Sequence, residues 1–169
     1  MTVAMLKFLH TNAPALILAS GLVSLGTMFT MEHWAGLAPC PLCISQRWAW
    51  GGAAVAAAGA LVPAVGPGGR RILLAFSAAA LVIGSVFAVY HTGVEQHWFA
   101  GPDTCSGVPI RADTVEALRR ALMAAPVVRC DEIPWSLFGI SLAGYNVIAS
   151  IFMAAFSAWV AAAPGGRNR

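Results

Sequence analysis

The chain has 169 residues, of which 59% are hydrophobic and 10% charged, with a mean hydropathy of +0.74. An ordinary soluble domain carries about 25% charged residues, so this balance excludes one and points to a single integral membrane domain over 1–169. The net charge of +3 would suggest nucleic acid in a soluble protein, but here the cations have a topological explanation and no nucleic-acid partner is expected.

Apolar stretches near the roughly 20 residues that a spanning helix needs lie at about 13–31, 44–65, 72–91 and 135–163. Lys7 precedes the first. Glu32-His33-Trp34 at its end offers no small-x-small cleavage site, so this stretch is expected to be a retained helix. A short loop, 32–43, follows and ends in Cys40-Pro41-Leu42-Cys43. Arg70 and Arg71 separate the second and third stretches. The loop 92–134 is long and carries Cys105 and Cys130. Within it, Asp113-Thr114-Val115-Glu116 resembles a capping box, with Val115, Leu118 and Leu122 on one face of a short amphipathic helix that stops before Pro126. That helix lies on the membrane surface or packs on the protein itself. Gly101, Pro102, Gly107, Pro109 and Pro126 give the loop hinges. The fourth stretch leads to Arg167 and Arg169. The predicted fold is an all-α membrane protein, an antiparallel four-helix transmembrane bundle with a short amphipathic helix in the second outer loop.

The charges choose an orientation. Lys7, Arg70, Arg71, Arg167 and Arg169 share one side, which has no acidic residue. All seven carboxylates fall at or in the other two loops, where Arg111, Arg119, Arg120 and Arg129 lie in a segment of mixed charge. The excess of cations in short cytoplasmic loops therefore predicts that both termini are cytoplasmic and that the cysteine loops face out. Small residues in the spans, such as Gly21, Gly52, Gly59 and Gly144, allow close helix contact where no hydrophobic effect drives association.

Cys40 and Cys43 sit where the second span begins. Only the thiolate is nucleophilic, and a helix N-terminus and a nearby Arg both lower a thiol pKa. Arg47 lies four residues beyond Cys43 and projects from the same helix face. Three explanations for four cysteines stand side by side. Two structural disulfides are the usual default outside the cytosol, yet a bond between Cys40 and Cys43 closes almost no loop and would stabilise little. A zinc site needs paired C-x-x-C spacing, which Cys105 and Cys130 lack, and no metal is expected. A relay, in which Cys105 and Cys130 pass oxidation between Cys40/Cys43 and an external client, needs the access and flexibility that the long loop offers.

The run Cys40-Pro41-Leu42-Cys43-Ile44-Ser45-Gln46-Arg47, then Tyr90-His91, Gly101-Pro102-Asp103-Thr104-Cys105, Cys130-Asp131-Glu132-Ile133-Pro134-Trp135, Phe138-Gly139-Ile140-Ser141 and Tyr145-Asn146 resembles the DsbB family. These are the quinone-linked inner-membrane thiol oxidases called disulfide bond formation protein B. The resemblance spans essentially the whole chain and implies a protein thiol:quinone oxidoreductase. It would reoxidise a periplasmic DsbA-like thioredoxin-fold protein and pass electrons to a membrane quinone, ubiquinone or menaquinone. It further implies that Cys40 and Cys43 are the quinone-proximal pair, with Cys43 as the thiolate that reacts. Arg47 would hold the quinone carbonyl, and His91 is a candidate second contact, or else an interfacial His reaching water. Cys105 and Cys130 would form the outer disulfide, with Cys105 taking the mixed disulfide with the client. Relatives often carry Glu before the arginine; Gln46 avoids a carboxylate that would weaken the arginine's field. Two other readings remain open. One is a vitamin K epoxide reductase-like enzyme, whose C-x-x-C should follow a later span. The other is a membrane scaffold with structural disulfides.

Overall fold

The computed structural model describes residues 2–102, 105, 114–124 and 129–163. The expectations that rest on Asp103, Gly107, Pro109, Arg111, Asp113, Pro126, Arg167 and Arg169, and on the side chain of Leu122, lie outside them. The elements in order are α1 (Val3–His33), α2 (Pro41–Ala60), α3 (Pro67–Glu95), α4 (Val115–Ala124), β1 (Ser136–Leu137), β2 (Ile140–Ser141) and α5 (Leu142–Ala162).

α1, α3 and α5 are long and apolar enough to cross a membrane. α2 is not among them, because its first two turns carry Ser45, Gln46 and Arg47. Helix α3 packs along α2 on one side and α5 on the other, while α1 lies against α2. Much of the apolar surface points outward: Val23, Phe76, Val86 and Phe152 are exposed. A protein in water would not leave so large an apolar surface uncovered, and lipid is the solvent that suits it. This is a membrane protein.

The helices meet through small side chains. Ala53, Ala54, Ala56 and Ala57 of α2 are buried. A Cβ on Gly84 would stand 2.7 Å from the Ala49 Cβ, and one on Gly21 would stand 3.0 Å from the Ala54 Cβ. Glycine at these places sets the helix separation. At the end that holds the start of α3, Arg70 donates to the carbonyls of His10 and Thr11, both at 2.8 Å, and Arg71 donates to that of Ala162 at 3.3 Å. The two cations thus tie the start of α3 to α1 and to the last turn of α5.

The helices do not keep the expected bounds: α1 and α3 run beyond 13–31 and 72–91, and α2 stops at Ala60 rather than at 65. The fourth stretch departs for a local reason. The stretch expected to be continuous from position 135 is divided. Phe138 and Gly139 take φ of +50° and +78°, the left-handed pair that a two-residue hairpin turn requires, and Leu137 pairs with Ile140 across it. Ser141 then starts α5, its Oγ accepting from the Gly144 N–H at 3.0 Å. In α4 the Thr114 hydroxyl accepts from the Ala117 N–H at 3.2 Å, so Thr114 caps the helix start.

Candidate active site

Cys40 is the N-cap of α2, with Pro41 in the first turn, where its missing N–H leaves no donor unsatisfied. The Cys40 sulfur occupies the place usually taken by a Ser or Asp oxygen and accepts from the Cys43 N–H at 3.2 Å. The two sulfurs lie 2.8 Å apart, and His91 Nε2 is 3.6 Å from that of Cys40. The hydrogen bond from the Cys43 thiol, helped by His91 and opposed by burial, pulls the Cys40 thiol down to about 4. Cys40 is 3% exposed, whereas Cys43 is half-buried.

Cys105 and Cys130 are joined in a disulfide. They pack with Cys40, Leu42 and Val94 in one buried cluster, against which Cys43 and Tyr90 also lie. All four cysteines therefore meet where α2 starts and α3 ends, although the chain separates the two pairs widely. A cavity of about 600 Å³ opens beside them, lined by Trp98, Phe99, Cys105, Arg129 and Asp131 among others. Cys105 faces it, and Cys130, 0% exposed, is the inner partner. On the rim Arg129 donates to Asp131 at 3.0 and 2.6 Å. This fork-like pairing holds the Asp131 carboxyl below the usual carboxylate range.

Arg47 does what the helical spacing did not reveal. Its Nη1 donates to Glu32 at 2.5 Å, and the guanidinium lies over the Phe29 ring, 4.8 Å from the centroid. The cation is thus held between α1 and α2 beside Cys43. Its Nε is buried and has no acceptor among the described residues. His91 is buried rather than interfacial, and its ring reaches Cys40. Gln46 brings no charge beside Arg47. It turns inward, with Nε2 3.1 Å from His91 Nδ1 and Oε1 accepting from Asn146. Asn146 Oδ1 in turn accepts from Trp50 Nε1 at 2.7 Å. On the other side of the ring, Glu95 Oε1 is 3.9 Å from His91 Nε2, and Glu95 Oε2 accepts from the Ser141 hydroxyl at 2.5 Å.

Sequence reasoning did not single out Glu32, Glu95, Trp50 or Ser141, and it gave Asn146 no role. The one available signal was Glu95, four residues after His91 on the same helix face. The thiolate-stabilising contacts also fall on Cys40 rather than on Cys43, because the N-cap residue, not the N3 residue, receives the helix N–H. The donor atoms of Cys40, Cys43 and His91 lie within 4.8 Å of one another, a convergence not foreseen when no metal was expected.

The family model for disulfide bond formation protein DsbB matches residues 10–160. The chain belongs to the DsbB family. Disulfide bond formation protein B 2 of Pseudomonas putida is 32% identical over 148 residues, 83% of each chain. The protein of the same name from Pseudomonas savastanoi is 34% identical over 133 residues, covering 74% of this chain and 73% of that one. Disulfide bond formation protein B of Stutzerimonas stutzeri is 28% identical over 137 residues, 76% and 80%. No solved structure matches. DsbB membership makes this chain a disulfide-forming membrane thiol oxidase, the first of the three readings rather than the vitamin K-type enzyme or the scaffold.

Proposed function

We propose that the protein is a thiol:quinone oxidoreductase of one domain over 1–169. In this reading it forms a four-helix antiparallel transmembrane bundle in the bacterial inner membrane. Both termini are cytoplasmic, and the cysteine loops and the amphipathic α4 are periplasmic. Lys7, Arg70 and Arg71 at one end support that orientation, with the four cysteines at the other. The client is a DsbA-like thioredoxin-fold protein, and the acceptor is ubiquinone or menaquinone.

The observation that carries the reading is the meeting of both cysteine pairs in one buried cluster beside helices that cross a membrane. Thiol exchange needs a thiolate to approach a disulfide sulfur. A client thiolate attacks Cys105, the sulfur facing the cavity, and the bond to Cys130 breaks. The Cys130 thiolate attacks Cys40 of an oxidised Cys40–Cys43 pair, and Cys43 leaves as thiolate. When the client's second thiol closes its own disulfide, Cys105 is released and retakes Cys130. Cys40 then departs as thiolate, and two electrons rest on Cys40 and Cys43. The bonded Cys105–Cys130 and free Cys40 and Cys43 support this order of steps.

The residues present fit a quinone. The buried Arg47 Nε–H lacks an acceptor among the described residues, and a carbonyl oxygen would supply one. Arg47 would hold that oxygen, and half-buried Cys43 lies on the same helix face. A bound quinone supplies a two-electron acceptor of higher potential than the client. Such an acceptor is needed because a DsbA-like protein is itself a strong oxidant that few protein disulfides can reoxidise. His91 serves the Cys40 sulfur in this scheme rather than the acceptor. Adding quinone and a reduced thioredoxin-fold client to the purified protein should consume quinone in step with client disulfide. Client oxidation with no loss of quinone would refute the reading.

A further inference from the structure

The buried polar chain between α2, α3 and α5 has a direction. An indole N–H can only donate, so Trp50 Nε1, 2.7 Å from Asn146, requires the amide oxygen of Asn146 on its side. The Asn146 NH2 therefore points at Gln46 and requires the Gln46 oxygen there. The Gln46 NH2 is left facing His91 Nδ1 at 3.1 Å. A group that only donates needs a lone pair opposite it, so Nδ1 is bare and the ring hydrogen sits on Nε2. Orientations of amides and imidazoles are otherwise ambiguous between N and O or between tautomers, but the indole removes that freedom at one end of the chain. The groups beyond Nε2, the Cys40 sulfur at 3.6 Å and Glu95 Oε1 at 3.9 Å, are acceptors and agree with it.

The geometry points to Trp50, Asn146 and Gln46 as positioning residues that hold His91 in its Nε2–H tautomer, so that the imidazole donates to the Cys40 sulfur. The assignment deepens the function proposed above and rests on it for one consequence: a standing donor stabilises Cys40 when it departs from Cys130. A second consequence concerns cations. The donor atoms of Cys40, Cys43 and His91 converge within 4.8 Å, yet this tautomer turns a hydrogen, not a lone pair, toward an ion held by the sulfurs. The amide chain keeps the thiol pair from becoming a soft-metal site.

Nitrogen NMR of the full-length, histidine-labelled, reduced chain reads the tautomer directly, with the His91 signals identified by their loss in His91→Asn. The expected spectrum shows Nε2 protonated and Nδ1 bare. In Gln46→Glu a carboxylate accepts from Nδ1, and the pattern should reverse. In Trp50→Phe the directing donor is gone, and the two tautomers should mix. A hydrogen on Nδ1 in the unaltered chain overturns the assignment whether or not the variants fold, as does an unchanged Nε2–H in both variants. Cadmium gives an independent reading through its thiolate absorbance: Gln46→Glu should bind it about 10-fold more tightly than the unaltered chain, and equal affinity counts against the assignment. Neither measurement uses quinone or client. A wrong tautomer therefore leaves the proposed function standing, while failed quinone reduction with Nε2–H present does the reverse.

Discussion

The two ends of the helix bundle are built from opposite materials. At the end where Arg70 and Arg71 sit, Ala13, Ile17, Ala57, Ala60, Leu74, Val160 and Ala161 form an apolar cluster, and the buried polar side chains nearby are the small hydroxyls of Ser77 and Ser157. At the cysteine end, Gln46, His91, Glu95, Ser141 and Asn146 are all buried and bonded to one another. A satisfied hydrogen bond contributes only about 0.5–1.5 kcal/mol net, so stability alone does not explain them. Packing holds one end, and in the proposed function the polar network at the other controls where hydrogens lie around a sulfur.

Substitutions should separate the two ends. The largest effect is expected for Cys43→Ser, which removes the sulfur beside Arg47; quinone reduction should fall by about 10³-fold or more while the protein still inserts in membranes. Arg47→Ala comes next, losing a charged hydrogen bond of about 1.5–3 kcal/mol, visible as roughly 10- to 100-fold weaker quinone use in steady-state assays. Gln46→Leu and Gly84→Val form a matched pair. The first leaves the Asn146 NH2 and His91 Nδ1 without their Gln46 partner, the second drives a side chain into Ala49, and both should lower stability by about 1–3 kcal/mol in detergent unfolding. Only Gln46→Leu should also slow thiol exchange by folded protein. Equal slowing by both would erase the distinction between the ends.

The Cys40 thiol adds a pH test. Its pKa is depressed to about 4, so the thiolate persists above that value and is lost as pH falls through it. Alkylation of Cys40 by a small reagent should therefore hold nearly level from pH 8 to 5 and drop below. In unfolded chain the same reaction should decline below about pH 8.5. The smallest effect belongs to neither end. Phe76, 60% exposed on α3, faces outward, and Phe76→Ala should change stability by less than about 0.5 kcal/mol.

How much of this was visible in the sequence follows from distance along the chain. The apolar stretches of α1 and α3 and the C-x-x-C at a helix start are local patterns, and local patterns can be read. The hairpin at Phe138-Gly139 was also local, but a run of apolar residues concealed a turn that only backbone dihedrals reveal. The site's polar partners were not readable, because Gln46 meets His91 and Asn146 only after three helices have packed. Arg47 shows the limit most clearly. Helical spacing placed it on the face of Cys43, yet its nearest charge is Glu32, on another helix.

The cap on α2 has one further consequence. In the proposed exchange, the atom that closes the first turn of this helix, the sulfur of Cys40, also changes bonding partners. A capping acceptor is worth about 1 kcal/mol, so drawing Cys40 toward Cys130 would take that bond from the Cys43 N–H and leave the opening turn of α2 short of its cap.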